Sequence, residues 1–214
     1  HVAKDLSGVL MIGQNSNVLL VAPSKGWKSA QDLVAAAKAK PGTINYGSAG
    51  VGTAPHISAL RFSVAAGIQT THVPYKGGAE AVTDLLGGRI DFLFTPISTA
   101  LPLIRDGRVV PLMVSTGTRA SDLPNVPTPR DLGLVNAETA VWYAVFMPAK
   151  TPRDIVEKFH TVGMKVLATP EMQAKMKKLA VDPLPMTTAE LDKFVVSELA
   201  NNGKLIKAAG IAPK

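Results

Sequence analysis

Thr43-Ile-Asn-Tyr46-Gly-Ser-Ala-Gly50-Val-Gly-Thr53-Ala-Pro-His56 decides the fold class of this 214-residue chain. The β-compatible run Thr43–Tyr46 enters a turn of small residues, Gly47 to Thr53, and an apolar helical pattern, Ala54–Ala66, follows at once. A strand that feeds a helix through such a turn is the repeating unit of a sheet covered by helices. The unit recurs twice. Val73-Pro-Tyr75-Lys76-Gly77-Gly-Ala79 links an extended run at Gln69–Val73 to a helical pattern at Ala79–Leu86, and Phe94-Thr95-Pro-Ile-Ser98 links Phe92–Phe94 to Ser98–Arg105. Working outward, further strands are expected at Val9–Ile12, Val18–Ala22, Val110–Val114 and Ala140–Phe146, with helices at Ala30–Lys40 and Pro129–Leu132. The predicted class is α/β, with largely parallel sheets flanked by helices.

Helix starts are written in the sequence as a hydroxyl three residues ahead of a carboxylate: Ser29 with Asp32, Thr151 with Asp154, Thr187 with Glu190. Each pair can satisfy amides that the first helical turn leaves unbonded. Pro152 and Pro170 suit the first helical position, after Thr151 and Thr169. From Thr151 onward only helices are expected. Val18–Pro23 and Val145–Lys150 are both apolar extended runs that stop at a proline and lead toward a capped helix. A chain that leaves one lobe by the first run and returns by the second builds two lobes on a two-stranded hinge; one continuous sheet holding both runs fits the same pattern. The two-lobed reading divides the chain into 1–22, a remnant of a first lobe with the first crossing strand; 23–139, a complete second lobe; and 140–214, the return strand and C-terminal helices of the first. Ala22-Pro23 and Met147-Pro148 then lie near the pivots.

Composition removes several function classes. A chain with 46% hydrophobic and 18% charged residues buries a sizeable core, and with no cysteine it has no disulfide framework, thiolate zinc site or cysteine nucleophile. The formal charge of +7 invites nucleic acid, but aromatics are only 5% and no Lys/Arg run exceeds two residues. Much of the basic excess follows Arg153, where Lys158, Lys165, Lys175, Lys177 and Lys178 recur on polar helix faces. No nucleic-acid partner is expected. No apolar stretch approaches the roughly 20 residues of a membrane span. His1-Val2 opens the sequence without a charged or apolar leader, so no signal peptide is written in these residues.

The chemistry points to an anion. In a parallel α/β sheet the strand-to-helix turns lie together at the carboxyl ends of the strands, and each opens a helix whose N-terminus carries about half a positive charge. Gly50 and Gly52 let a ligand approach the backbone, and Ser48 and Thr53 add hydroxyls. From Pro41 through Gly78 there is no Asp or Glu, while Arg61 and Lys76 are present. The competing reading is that glycine-rich turns are simply how such folds turn. No G-x-G-x-x-G, P-loop lysine, H-E-x-x-H or G-x-S-x-G pattern is present. No catalytic residue, metal or cofactor is expected. His56 caps the helix or lines a pocket, and His72 at a strand end reads as structural. Trp142-Tyr143 reads as core packing or as the wall of a pocket, with alternation sending one ring inward.

Lys38–His56, then His72-Val-Pro-Tyr-Lys-Gly-Gly78, Asp84-Leu-Leu-Gly-Gly-Arg-Ile-Asp91 and Leu123-Pro-Asn-Val-Pro-Thr128, occur in an order and spacing that resemble the solute-binding receptors of tripartite tricarboxylate transporters, the Bug proteins. The resemblance runs from about Lys4 to the C-terminus. It implies a two-lobed periplasmic-binding-protein (Venus-flytrap) fold, export to the periplasm by a signal peptide, and capture of a small organic acid for the membrane components of a secondary transporter. Carried onto matching positions, it implies a ligand wall of Ser48, Ala49, Gly50, Gly52, Thr53 and His56, with Tyr75, Lys76 and Gly77 beside it, Thr95 on the third turn, and Trp142 and Tyr143 on the returning strand. Family members carry a long stretch before the segment matching Lys4, so one lobe is expected to be incomplete; many have an Asp where this chain has Phe94-Thr95-Pro96. The effector-binding module of a transcription regulator is the alternative function, since it uses a similar two-lobed fold.

Overall fold

The computed structural model describes residues 2–208, which fall into two compact units: 2–14 with 142–208, and Asn15–Val141. In chain order, α1 (Val2–Asp5) and β1 (Leu6–Asn15) precede the second unit's elements: β2 (Asn17–Val21), α2 (Ala30–Ala39), β3 (Asn45–Ser48), α3 (Ala54–Ala66), β4 (Thr71–Pro74), α4 (Gly78–Leu86), β5 (Phe92–Pro96), α5 (Ile97–Arg105) and β6 (Val110–Val114). β7 (Val141–Pro148), α6 (Arg153–Leu167), α7 (Pro170–Lys178) and α8 (Thr188–Ala208) follow.

The unit Asn15–Val141 is built on a five-stranded sheet ordered β4-β3-β5-β2-β6. β3 pairs in parallel with β4 and β5, each reached through a helix, as parallel neighbours must be. β2 pairs antiparallel with both β5 and β6. Four strands therefore point one way and β2 runs against them, which corrects the expectation of a parallel sheet at that strand. β2 runs opposite to β3 although α2 lies between them, so β2-α2-β3 is not the parallel crossover that the later strand-helix-strand units make. All of Asn17–Val21 is buried, so this run is a central strand. The chain passes between the units instead at Gln14–Asn15 and Val141–Trp142. Leu19, Val21, Leu33, Tyr46, Phe62, Phe92, Phe94 and Met113 form the core under α2 and α3.

The other unit holds a two-stranded sheet, β1 with β7, and the helices α6, α7 and α8. Alternation along β7 serves two cores: Val145 and Met147 pack with Val9, Leu10 and Val156, while Trp142, Ala144 and Phe146 pack with Met11, Leu191 and Val195. Two of the three expected capping pairs form. Ser29 Oγ accepts from Asp32 N at 3.2 Å while Asp32 accepts from Ser29 N, and Thr187 and Glu190 make the same exchange. At α6 the cap is Pro152 and no side chain takes part. Pro129–Leu132, expected as a helix, is a turn: Leu132 and Gly133 bond back by three residues, and Gly133 at φ +69° ends the run.

Candidate functional site

Strand register gathers one polar edge in the unit Asn15–Val141. Ser48 at the end of β3 is level with Pro74 on β4, Gly47 with Leu93 on β5, Asn17 with Pro96, and Val18 with Val114. The turns into α3, α4 and α5 thus leave the sheet on the same side, as the sequence pattern requires.

The turn into α3 is built around one carbonyl. Gly50 O accepts from Ser48 Oγ at 3.0 Å, Thr53 Oγ1 at 2.8 Å and Thr53 N at 3.4 Å. Gly50 N in turn donates to Ser48 Oγ at 3.1 Å. Ser48 and Thr53 therefore spend their hydroxyls shaping the loop. Thr53 is the N-cap of α3, and because its side chain turns back, no side chain caps the first-turn amides. Gly50 sits at φ +122°, a conformation that side-chain-bearing residues rarely adopt. Gly52 is exposed, and Ala49, Gly50 and Thr53 are partly so.

Two imidazoles hold this loop from beneath. His56 Nδ1 accepts from Gly52 N at 3.0 Å, and His72 Nε2 lies 2.7 Å from Ser48 Oγ. The rings stack with centroids 4.0 Å apart and planes 9° from parallel, and Tyr46 stacks on His72 at 4.8 Å. Burial pushes both histidines below the usual imidazole pKa, His72 down to about 4 with the neighbouring His56 adding to the shift. His72, which reads from the sequence as a structural strand end, belongs to the loop's foundation.

The second turn is differently equipped. Tyr75 N donates to Ser48 O at 3.0 Å, tying the two turns together. The Tyr75 hydroxyl donates to Asp84 at 2.7 Å, and burial with that carboxylate raises its pKa to about 12. Gly77 is the N-cap of α4, but Glu80 in the first turn of that helix accepts from Lys76 N at 3.3 Å. A carboxylate already occupies that helix start, which disfavours a second anion there. Lys76 itself is exposed. Thr95, on β5, is 3% exposed, and α5 begins beside it with Ile97 N bonded to Ser16 O. Trp142 and Tyr143 belong to the other unit, where Trp142 packs edge-on against Phe194 at 5.6 Å and Tyr143 is 42% exposed.

Sequence reasoning missed a second polar cluster on the same edge. Asn17 Nδ2 donates to Ser58 Oγ at 3.0 Å, Ser58 Oγ lies 2.6 Å from Thr139 Oγ1, and Ser115 Oγ accepts from Asn17 N and donates to Thr139 O. Asn17 Oδ1 stays buried without a partner among the described residues. That costs about 1–3 kcal/mol, which a donor brought to this edge would relieve. The signal was Ser16-Asn17 standing directly before an all-apolar strand. Among the described residues no three His, Cys, Asp or Glu side chains are grouped to hold a metal, and no helix is long and apolar enough to cross a membrane.

Residues 1–211 match the family model described as tripartite tricarboxylate transporter family receptor. A Pseudomonas sp. (strain P51) protein, described as a UPF0065 protein in the tcbD-tcbE intergenic region, is 32% identical over 204 residues, covering 95% of this chain and 61% of that protein. An R. palustris protein solved with adipate superposes with a TM-score of 0.81 at 31% identity, covering all of this chain and 72% of that one. The periplasmic binding protein BugD superposes with a TM-score of 0.75 at 25% identity, over 98% of this chain and 71% of its own. The chain spans 61%, 63% and 65% of the lengths of three curated relatives.

Proposed function

The chain belongs to the tripartite tricarboxylate transporter receptor family, and from that premise we propose that it is part of a periplasmic receptor that captures a small organic acid for the membrane components of a secondary transporter. The observation that carries this reading is the turn from Ser48 to Thr53: main-chain amides at the uncapped start of α3, with no acidic residue between Pro41 and Gly78. A carboxylate set there meets amide donors and the positive end of a helix, and no countercharge has to be displaced. Ser48 and Thr53 use their hydroxyls internally, and Gly50, Gly52 and Thr53 use their amides so, which leaves the amides of Ala49 and Val51 in the turn and of Ala54 and His56 in the first turn of α3 to meet the carboxylate. This suits a receptor that recognises the carboxylate group itself and leaves the rest of the solute to other contacts. The similar R. palustris protein carries adipate, a dicarboxylate, in its structure. Membership of a receptor family also favours this reading over the effector-binding module. Ser48, Ala49, Gly50, Gly52 and Thr53 form the proposed wall, with His56 beneath it.

Calorimetry with adipate, a panel of monocarboxylates and a neutral sugar tests the proposal. Acids are expected to bind and the sugar to give no heat. Gly50→Ala forces a side chain into φ +122° and is expected to weaken acid binding about tenfold or more. Sugar binding with no response to any acid overturns the reading.

A further inference from the structure

We infer that His56 is the positioning residue of the Gly50–Thr53 turn, and that protonating the stacked His56–His72 pair releases this turn, so that anion capture is lost in acid. The effect on capture rests on the function proposed above; the effect on the turn rests on geometry alone.

A ring nitrogen that accepts a hydrogen bond carries no proton. His56 Nδ1 accepts from the Gly52 amide, so the neutral ring holds its hydrogen on Nε2. A proton added at Nδ1 sets two donors face to face and breaks the bond that holds Gly52. On the other flank Ser48 Oγ gives its hydrogen to Gly50 O, so His72 Nε2 donates to Ser48 and keeps that bond when charged; His72 acts on the turn through its charge on His56. With the rings 4.0 Å apart, a charge on either is felt by both, and the two titrate as a pair.

Among the described residues no carboxylate side chain is bonded to either ring. From β3 comes Tyr46, stacked on His72, with Phe92 of β5 behind it at 5.4 Å. β2 and β5 bring no ionisable side chain. On α4, Glu80 bonds Lys76 N, and Asp84 is held by Tyr75 and Arg89. On α3 itself the other ionisable group is Arg61, whose guanidinium donates to Glu138 O. His56 lies in the first turn of α3, where the helix dipole also opposes a cation. These surroundings agree with the lowered histidine pKa values, His72 at about 4. The turn is therefore whole at neutral pH and is lost as pH falls through the depressed histidine values.

Nitrogen NMR on the full chain, from neutral pH down to about pH 3, reads the device without any ligand. At neutral pH His56 is expected as the Nε2–H tautomer, and the Gly52 amide is expected to shift with the same midpoint as the imidazole. His56→Asn keeps an acceptor where Nδ1 stood but cannot titrate, so the Gly52 response should vanish. His56→Gln puts its acceptor at the Nε2 position, so its turn amides at neutral pH should resemble acidified wild type. An Nδ1–H tautomer, or a Gly52 amide indifferent to the histidine titration, overturns the inference. In the ligand arm, adipate affinity is measured at pH about 7 and about 4 for wild type and His56→Asn; the difference between them cancels the ligand's own protonation. Wild type should lose about twofold more, the factor for a group half protonated at its own midpoint, and equal losses also overturn the inference. If adipate does not bind wild type at neutral pH, the function proposed above fails and the NMR arm alone decides.

Discussion

Gly47 and Gly50 stand three positions apart in one turn and are glycine for different reasons. A Cβ on Gly47 would lie 2.5 Å from Ile90 Cδ1, 3.2 Å from Tyr75 Cε2 and 3.3 Å from Ala81 Cβ, whereas at Gly50 no atom comes nearer than 3.5 Å and the constraint is φ. Gly47→Ala therefore acts on packing, and a loss of about 1–3 kcal/mol is expected from overfilling a closed space. Urea unfolding of the two alanine variants separates the causes: a Gly47→Ala midpoint equal to wild type would show that Ile90 moves aside freely. At this scale the turn itself was legible, because glycines and small hydroxyls cluster in the sequence. Its foundation was not. His72 and Asn17 reach the site through strand register, and Ser115 and Thr139 through hydrogen bonds to residues dozens of positions away; spacing along the chain encodes neither.

The same local spelling gave different helix starts. Ser29-Ala-Gln-Asp32 and Thr187-Thr-Ala-Glu190 close into reciprocal caps, while Thr151-Pro-Arg-Asp154 does not, because Pro152 takes the cap position itself and α6 begins at Arg153. Removing the hydroxyl should therefore matter at α2 and not at α6. Ser29→Ala is expected to cost about 1 kcal/mol, and Thr151→Ala to stay within about 0.5 kcal/mol of wild type. Equal losses from the two substitutions in urea titrations would contradict the assigned caps. Elements whose signals lie within a few residues, such as α2, α3 and the strand-turn-helix units, were readable in advance. The direction of β2 was not, because a strand, a helix and a strand read alike along the sequence whether the two strands end parallel, as β3 and β4 do, or opposed, as β2 and β3 are.

As a whole molecule, the chain has one unit made from a continuous stretch, Asn15–Val141, and one made from its two ends. The continuous unit contains its entire five-stranded sheet, so a fragment of residues 15–141 is expected to unfold cooperatively by circular dichroism. A fragment that begins at Ser24 lacks β2, the strand between β5 and β6, and should not fold. A folded Ser24 fragment would show β2 to be dispensable. Sequence periodicity found this strand but not its central place, since an apolar run bounded by proline reads equally as a connector between lobes. Its place has a consequence for biosynthesis. Val18 pairs with Thr95 and Val114, so β2 leaves the ribosome well before its partners and has to wait for them. Until about 75 to 95 further residues have emerged, Val18-Leu19-Leu20-Val21 has no sheet to enter, and closing so long a loop makes the pairing slow as well as late. The nascent chain thus carries an unpaired apolar handle, open to chaperones, until β5 and then β6 arrive.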